Sequence, residues 1–129
     1  MLKTAQLHEC RDFLEERYEE LREEIRQDLL DSEEQHFVDL AGQVRDLEEQ
    51  SVADLLVDID LELMDRHVSE ARDIEAALAR VENGTYGVCT DCDEDIPMAR
   101  LRAFPTAKRC RPCQERYERS HAGNATPSL

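Results

Sequence analysis

Four cysteines in two Cys-x-x-Cys pairs, Cys89/Cys92 and Cys110/Cys113, constrain this chain more than any other feature. Seventeen residues separate the pairs, a spacing that reads as a tetrathiolate zinc site. A two-residue spacer turns both sulfurs of a pair toward one point, and two such knuckles supply a tetrahedron. Zn²⁺ accepts four thiolates in a closed structural site because it imposes no geometry of its own. Between Cys89 and Cys113 the larger hydrophobes are only Ile96, Met98, Leu101 and Phe104, so core burial alone would not fold the segment. Metal binding of about 10–16 kcal/mol would supply most of its folding free energy. A thioredoxin-like redox pair calls for a βαβ context, which the pattern lacks. A disulfide framework calls for a secreted chain, and no signal peptide is read here. The expectation is one structural Zn²⁺.

Charge is unevenly distributed. The net charge is −15, and residues 1–80 hold 24 acidic and 9 basic side chains, whereas residues 81–129 hold 7 of each. Phosphate backbones are bound by Lys and Arg that displace counterions, so no direct nucleic-acid binding is expected. A protein with a basic surface is the expected partner. No apolar run approaches 18 residues, so no membrane association is expected and the reading is a cytoplasmic, monomeric chain. With 129 residues, 36% charged and 5% aromatic, exposed helices around a narrow seam are expected in place of a thick core.

Two apolar stripes organise the first 83 residues. Leu7, Cys10, Leu14, Tyr18, Leu21, Ile25 and Leu29 recur at helical spacing. Phe37, Leu40, Ala41 and Val44 carry the stripe on with a small phase shift around 31–34. No Pro interrupts it, so one long helix is expected from Leu7 to about Leu47. The second stripe runs Val52, Leu56, Ile59, Leu63, His67, Ala71, Ile74, Leu78 and Val81 and ends at Asn83-Gly84, residues suited to a left-handed helix stop. Ser51 with Asp54 fits a capping box, marking a fresh helix start. The expected fold is all-α with a small treble-clef or ribbon-like zinc module. Residues 1–83 form a long antiparallel two-helix coiled-coil hairpin with its tip near 45–51. Residues 84–120 form a four-cysteine zinc finger and a C-terminal helix opened by Pro105-Thr106, and 121–129 form a disordered tail.

The run Gly84-Thr-Tyr86-Gly87-Val-Cys89-x-x-Cys92, then Ile96, Arg100-Leu101-x-Ala103-x-Pro105-Thr106-Ala107-x-x-Cys110-x-x-Cys113, resembles the DksA/TraR zinc-finger family of bacterial regulators. The helices upstream resemble the family's coiled-coil arm. The resemblance implies a non-catalytic transcription regulator that binds RNA polymerase in its secondary channel and alters initiation through acidic residues at the arm tip. The family tip reads Asp-x-x-Asp-x-Ala, and the matching positions here are Asp46, Glu49 and Ser51. The resemblance also places Arg66 where the family arm directs an arginine at polymerase. The basic positions that hold guanosine tetraphosphate in the family fall on Ser69, Asp73, Phe104 and Gln114. None is cationic, and Asp73 would repel a phosphate, so action without that nucleotide is expected.

Each feature also has a plainer account. Cys10 lies on the first stripe as a small hydrophobe, and His67 lies on the second as a packed histidine. Asp46, Glu48 and Glu49 could be an acidic, solvated turn, Ser51 a helix N-cap, and Arg66 an ordinary arm residue. Arg100, Arg102, Lys108, Arg109 and Arg111 sit beside Asp91, Asp93, Glu94 and Asp95, as in a self-neutralising module. No enzyme is expected, because four thiolates leave zinc no open position. The alternative to the polymerase reading is a zinc-containing protein–protein interaction adaptor that does not act on RNA polymerase.

Overall fold

The computed structural model describes residues 2–31, 35–47, 51–56 and 65–125, with side chains over 2–31, 37–47, 51–56 and 66–121. They form six helices: α1 (Thr4–Asp31), α2 (Gln35–Asp46), α3 (Val52–Leu55), α4 (Asp65–Asn83), α5 (Met98–Ala103) and α6 (Arg111–Ala125). Helix α1 follows its stripe, burying Cys10, Leu14, Leu21, Ile25 and Leu29. Its 28 residues span about 42 Å. Helix α4 packs against it with Val68, Ala71, Ile74 and Ala77 in the core. Tyr18 faces Glu75 and Asp28 faces His67, so the two helices run antiparallel. Arg17 clamps the seam, donating from Nε and NH2 to the Glu70 carboxylate at 2.7 and 2.9 Å.

The single helix expected from Leu7 to Leu47 is not what forms. Helix α1 ends at Asp31, and α2 packs back along α1. The Arg22 guanidinium donates to the carbonyls of Val44, Arg45 and Leu47 at 3.1, 3.4 and 2.6 Å. These carbonyls lie at the C-terminal end of α2, where helix carbonyls run out of i+4 donors, and a cation there also suits the helix dipole. The end of α1 at Asp31 coincides with the small phase shift of the stripe around 31–34. Residues 46–47 and 51–52 therefore lie beside the middle of α1 and not at the end of the α1/α4 pair. Glu48, Glu49, Ile59 and Leu63 fall outside the described residues. Ser51 does cap a helix start: with φ −68° and ψ 133°, its Oγ accepts from the Asp54 N–H at 3.0 Å.

Helix α4 stops at Asn83, and Gly84 takes φ +76°, a left-handed conformation that costs a side-chain-bearing residue and suits glycine. The N–H groups of Thr85 and Tyr86 then both reach back to the Arg80 carbonyl, at 2.9 and 3.1 Å. Among the described residues the only β pairing is one antiparallel bridge between Val88 and Asp95. Two further expectations are corrected. Pro105-Thr106 forms a turn that follows α5 and does not open the last helix, because the Pro105 carbonyl is held by the Tyr86 hydroxyl at 2.7 Å. Helix α6 begins at Arg111 and runs through Ala125, so residues 121–125 belong to it and not to a tail. His121 Nδ1 lies 2.8 Å from the Tyr117 carbonyl and its ring stacks on Tyr117. Residues 126–129 lie outside the described residues.

Candidate metal centre and the arm beside it

Two short loops present the cysteines. In the first, the Cys89 N–H donates to the Glu94 carbonyl at 2.8 Å and the Ile96 N–H to the Gly87 carbonyl at 2.8 Å. The Asp93 N–H returns to the Cys89 carbonyl at 3.0 Å, with Asp93 itself at φ +63°. This knuckle turns Cys89 inward, fully buried, and leaves Cys92 exposed. In the second, Cys110 precedes α6 and Cys113 sits in its first turn, where the Gln114 N–H donates to the Cys110 carbonyl at 2.9 Å. Thr90 N–H to Lys108 carbonyl at 2.9 Å, and Arg109 Nε to Asp91 Oδ2 at 2.9 Å, tie one loop to the other. Arg109 is further covered by the Tyr117 ring, 3.9 Å away. Part of the basic cluster is thus neutralised within the module.

All four sulfurs lie within 4.8 Å of one another. A tetrahedron with Zn–S bonds of about 2.3 Å has sulfurs about 3.8 Å apart, and Cys92 and Cys110 are separated by 3.8 Å. The donor set fits zinc, and the chain holds one structural Zn²⁺ through Cys89, Cys92, Cys110 and Cys113. The thiol chemistry shows why a dication is needed. Burial raises the Cys89 thiol, but backbone hydrogen bonds from Cys110, Cys92 and Asp91 outweigh it and leave it at about 6. Cys113 is pushed up to about 12, first by the side chain of Cys110, then by burial and the other two thiols. Cys89 thus forms a thiolate readily, whereas Cys113 gives up its proton when a metal balances the charge.

A small core seats this centre on the arm. Tyr86, Ile96 and Leu101 are buried with Cys89 and Cys113 and join the cluster that contains Cys10 and Leu14 of α1. At Gly87, φ is +84° and an added Cβ would come within 2.9 Å of the Leu2 side chain, so the start of the chain closes over the module. Between α4, the loop after α5, and α6 lies an open cleft of about 610 Å³. Asp73, Phe104 and Gln114 line it, as does Arg80; Ser69 is exposed on α4. The arginines of this cleft are engaged. Arg80 donates to the Thr106 carbonyl, Arg100 to the Arg109 carbonyl, Arg109 to Asp91, and Arg111 to Glu115.

Of the arm residues, Asp46 is exposed at the end of α2, and Ser51 is half-buried with its Oγ 2.5 Å from the Glu75 carboxylate. Arg66 is exposed near the start of α4. His67 sits between two acids of α1, with Nδ1 2.7 Å from Asp28 and Nε2 3.3 Å from Glu24. The contacts missed by the sequence reading are those of Arg22 and of Tyr18 with Glu75. Tyr18 and Arg22 lie four apart on α1, but their partners lie 22 to 57 residues away, and nothing in a local pattern links them.

A family profile described as "Prokaryotic dksA/traR C4-type zinc finger" matches residues 84–119. The chain is 44% identical over 61 residues to the RNA polymerase-binding transcription factor DksA of Caulobacter vibrioides strain NA1000, a match that covers 47% of this chain and 43% of that protein. That alignment spans less than half of the relative. The match to the RNA polymerase-binding transcription factor DksA of Escherichia coli K12 is longer, at 30% identity over 113 residues, covering 88% of this chain and 72% of the relative. The structure of transcription factor DksA2 from Pseudomonas aeruginosa is similar with a TM-score of 0.65 and 29% identity, covering 93% of this chain and 88% of that one. Sequence, zinc ligands and helical arm agree, and the chain belongs to the DksA/TraR C4-type zinc-finger family.

Proposed function

We propose that this protein is a transcription regulator that binds bacterial RNA polymerase, inserts its acidic arm into the secondary channel, and modulates initiation. The observation that carries this reading is similarity over 88% of the chain to an RNA polymerase-binding factor; it covers arm and zinc module together. The helical arm, in which α1 spans about 42 Å and α4 about 28 Å, is proposed to enter a channel that excludes the metal-stapled module. Asp46 and Glu49 are the acids proposed to act near the polymerase active centre, where carboxylates beside bound Mg²⁺ alter the field at substrate and metal. Arg66, exposed on α4, is proposed to contact the polymerase.

Action without guanosine tetraphosphate is part of the proposal. The cleft that carries Phe104 and Gln114 also presents Asp73, and its arginines are committed to carbonyls and carboxylates of the chain. The test is competition with a secondary-channel ligand, run beside an initiation assay with and without the nucleotide. Asp46→Asn with Glu49→Gln is expected to compete within about threefold of wild type while losing the effect on initiation. Wild type that fails to compete would favour the adaptor reading. A clear nucleotide synergy, in polymerase lacking its other nucleotide site, would overturn the nucleotide-independent part.

A further inference from the structure

We propose that Arg116 is a positioning residue of the metal centre: it holds the Cys113 sulfur by an N–H···S bond and tightens the grip on zinc. The inference rests on the zinc site alone and stands whether or not the protein acts on polymerase.

The contact comes first. Arg116 Nη2 lies 3.5 Å from Cys113 Sγ, within reach of a hydrogen bond to the large sulfur atom. Cys113 and Arg116 are one turn apart on α6, so their side chains share a face. Helical side chains also lean toward the N-terminus, which carries the guanidinium back over the buried cysteine. Arg116 itself is exposed and has Glu115 and Glu118 close by in sequence. Among the described residues its polar partner is nevertheless the sulfur and not a carboxylate. By contrast, Arg109 pairs with Asp91 and Arg111 with Glu115, at 2.9 and 3.3 Å.

The second observation is which donors serve each sulfur. Backbone N–H groups serve Cys89 and Cys92 in their tight loop. Cys113 sits on a helix, where backbone N–H groups are spent on carbonyls four residues back, as that of Gln114 is on Cys110. The groups that act most strongly on Cys113 are the other thiols and burial, with no backbone donor among them. A side chain one turn along the helix can fill that gap, and Arg116 occupies the place.

Charge gives the contact its effect. Four thiolates outweigh the charge of one Zn²⁺ and leave the excess on sulfur. A guanidinium stays charged at any working pH and only donates. Its bond to Cys113 draws charge off the thiolate, fixes the direction of the sulfur toward the metal, and opposes the protonation by which a ligand leaves. Groups that orient a metal ligand in this way typically change affinity by about 10–100-fold, and the exposure of Arg116 places it near the lower end.

Zinc affinity of the full chain, measured by competition with a chelator, tests the inference. Arg116→Met keeps the aliphatic stem and removes charge and donors, with little change in helix propensity. It should bind zinc about tenfold more weakly, with the helical circular dichroism of the zinc-loaded protein retained. Cobalt(II) put in place of zinc supplies a second reading. Its sulfur-to-metal charge-transfer band should move to longer wavelength in this variant, because the thiolate has become a better donor. Arg119→Met removes the same charge one turn further along α6 and should leave both readings at wild-type values. Wild-type affinity in Arg116→Met overturns the proposal, and so does an equal loss in Arg119→Met. A weaker site whose cobalt band has not moved overturns it too, since the loss would then come from packing. Should Arg116→Met fail to fold with zinc, Arg116→Gln decides by the same two readings, and wild-type values in it overturn the proposal.

Discussion

The zinc module and the arm reach order by opposite routes. Between Gly84 and Cys113 the chain buries few side chains and leans on metal, tight loops and two positive-φ glycines. The arm relies on a leucine-rich seam through Leu14, Leu21, Ile25, Leu29 and Ile74, flanked by ion pairs. Coordination specifies one arrangement because four ligands must meet at a point. An amphipathic seam specifies a face, and more than one partner can cover a face. That difference explains why the module follows its motif closely while the arm folds back where a continuous helix was expected.

The sharpest way to break the comparison is to remove the metal. Cys110→Ser with Cys113→Ser should abolish zinc by elemental analysis and forfeit about 10–16 kcal/mol of binding energy. Residues 84–113 should melt while the α1/α4 helices keep their circular dichroism signal. Retained zinc, or loss of the whole helical signal, would show that the regions are not independent in this way.

The converse experiment weakens the arm. Ile25 is fully buried, and Ile25→Ala should cost about 2–5 kcal/mol. The denaturation midpoint of the arm should fall with zinc content unchanged. An equal loss of metal would mean that the arm holds the module together.

The smallest effect is electrostatic. Glu70 sits below the ordinary carboxylate range, chiefly through its hydrogen bond from Arg17, with burial opposing and the charges of Arg17 and His67 assisting. A depressed folded pKa gives stability that is present above the unfolded value of about 4.5. It is lost as pH falls through the folded value. At pH 7, Glu70→Gln should cost up to about 1 kcal/mol, since the pair is partly exposed. The difference from wild type should vanish in acid and shrink in high salt. A pH-independent difference would assign the loss to packing and not to charge.

What could be read before the fold was known follows from range. The zinc ligands were legible because each knuckle is set by residues within a few positions of one another. The stop of α4 at Asn83-Gly84 was legible because a left-handed residue announces itself locally. The cap at Ser51 has the same origin. The start of α6 at Arg111 was misplaced at Pro105-Thr106, because Tyr86, nineteen residues earlier, claims the proline carbonyl.

By itself the sequence determined the ligand set, the acidic character of the arm and the two stripes, all of them properties of neighbouring residues. Only the tertiary structure decided what the stripes pack against. Phe37, Leu40 and Val44 present an apolar face whether they prolong α1 or lie back upon it, so periodicity does not distinguish the two. The choice rests on Arg22 reaching the α2 carbonyls and on Tyr18 and Glu75 meeting Ser51 and Val52. Such contacts between residues 22 to 57 positions apart exist only once the helices are assembled.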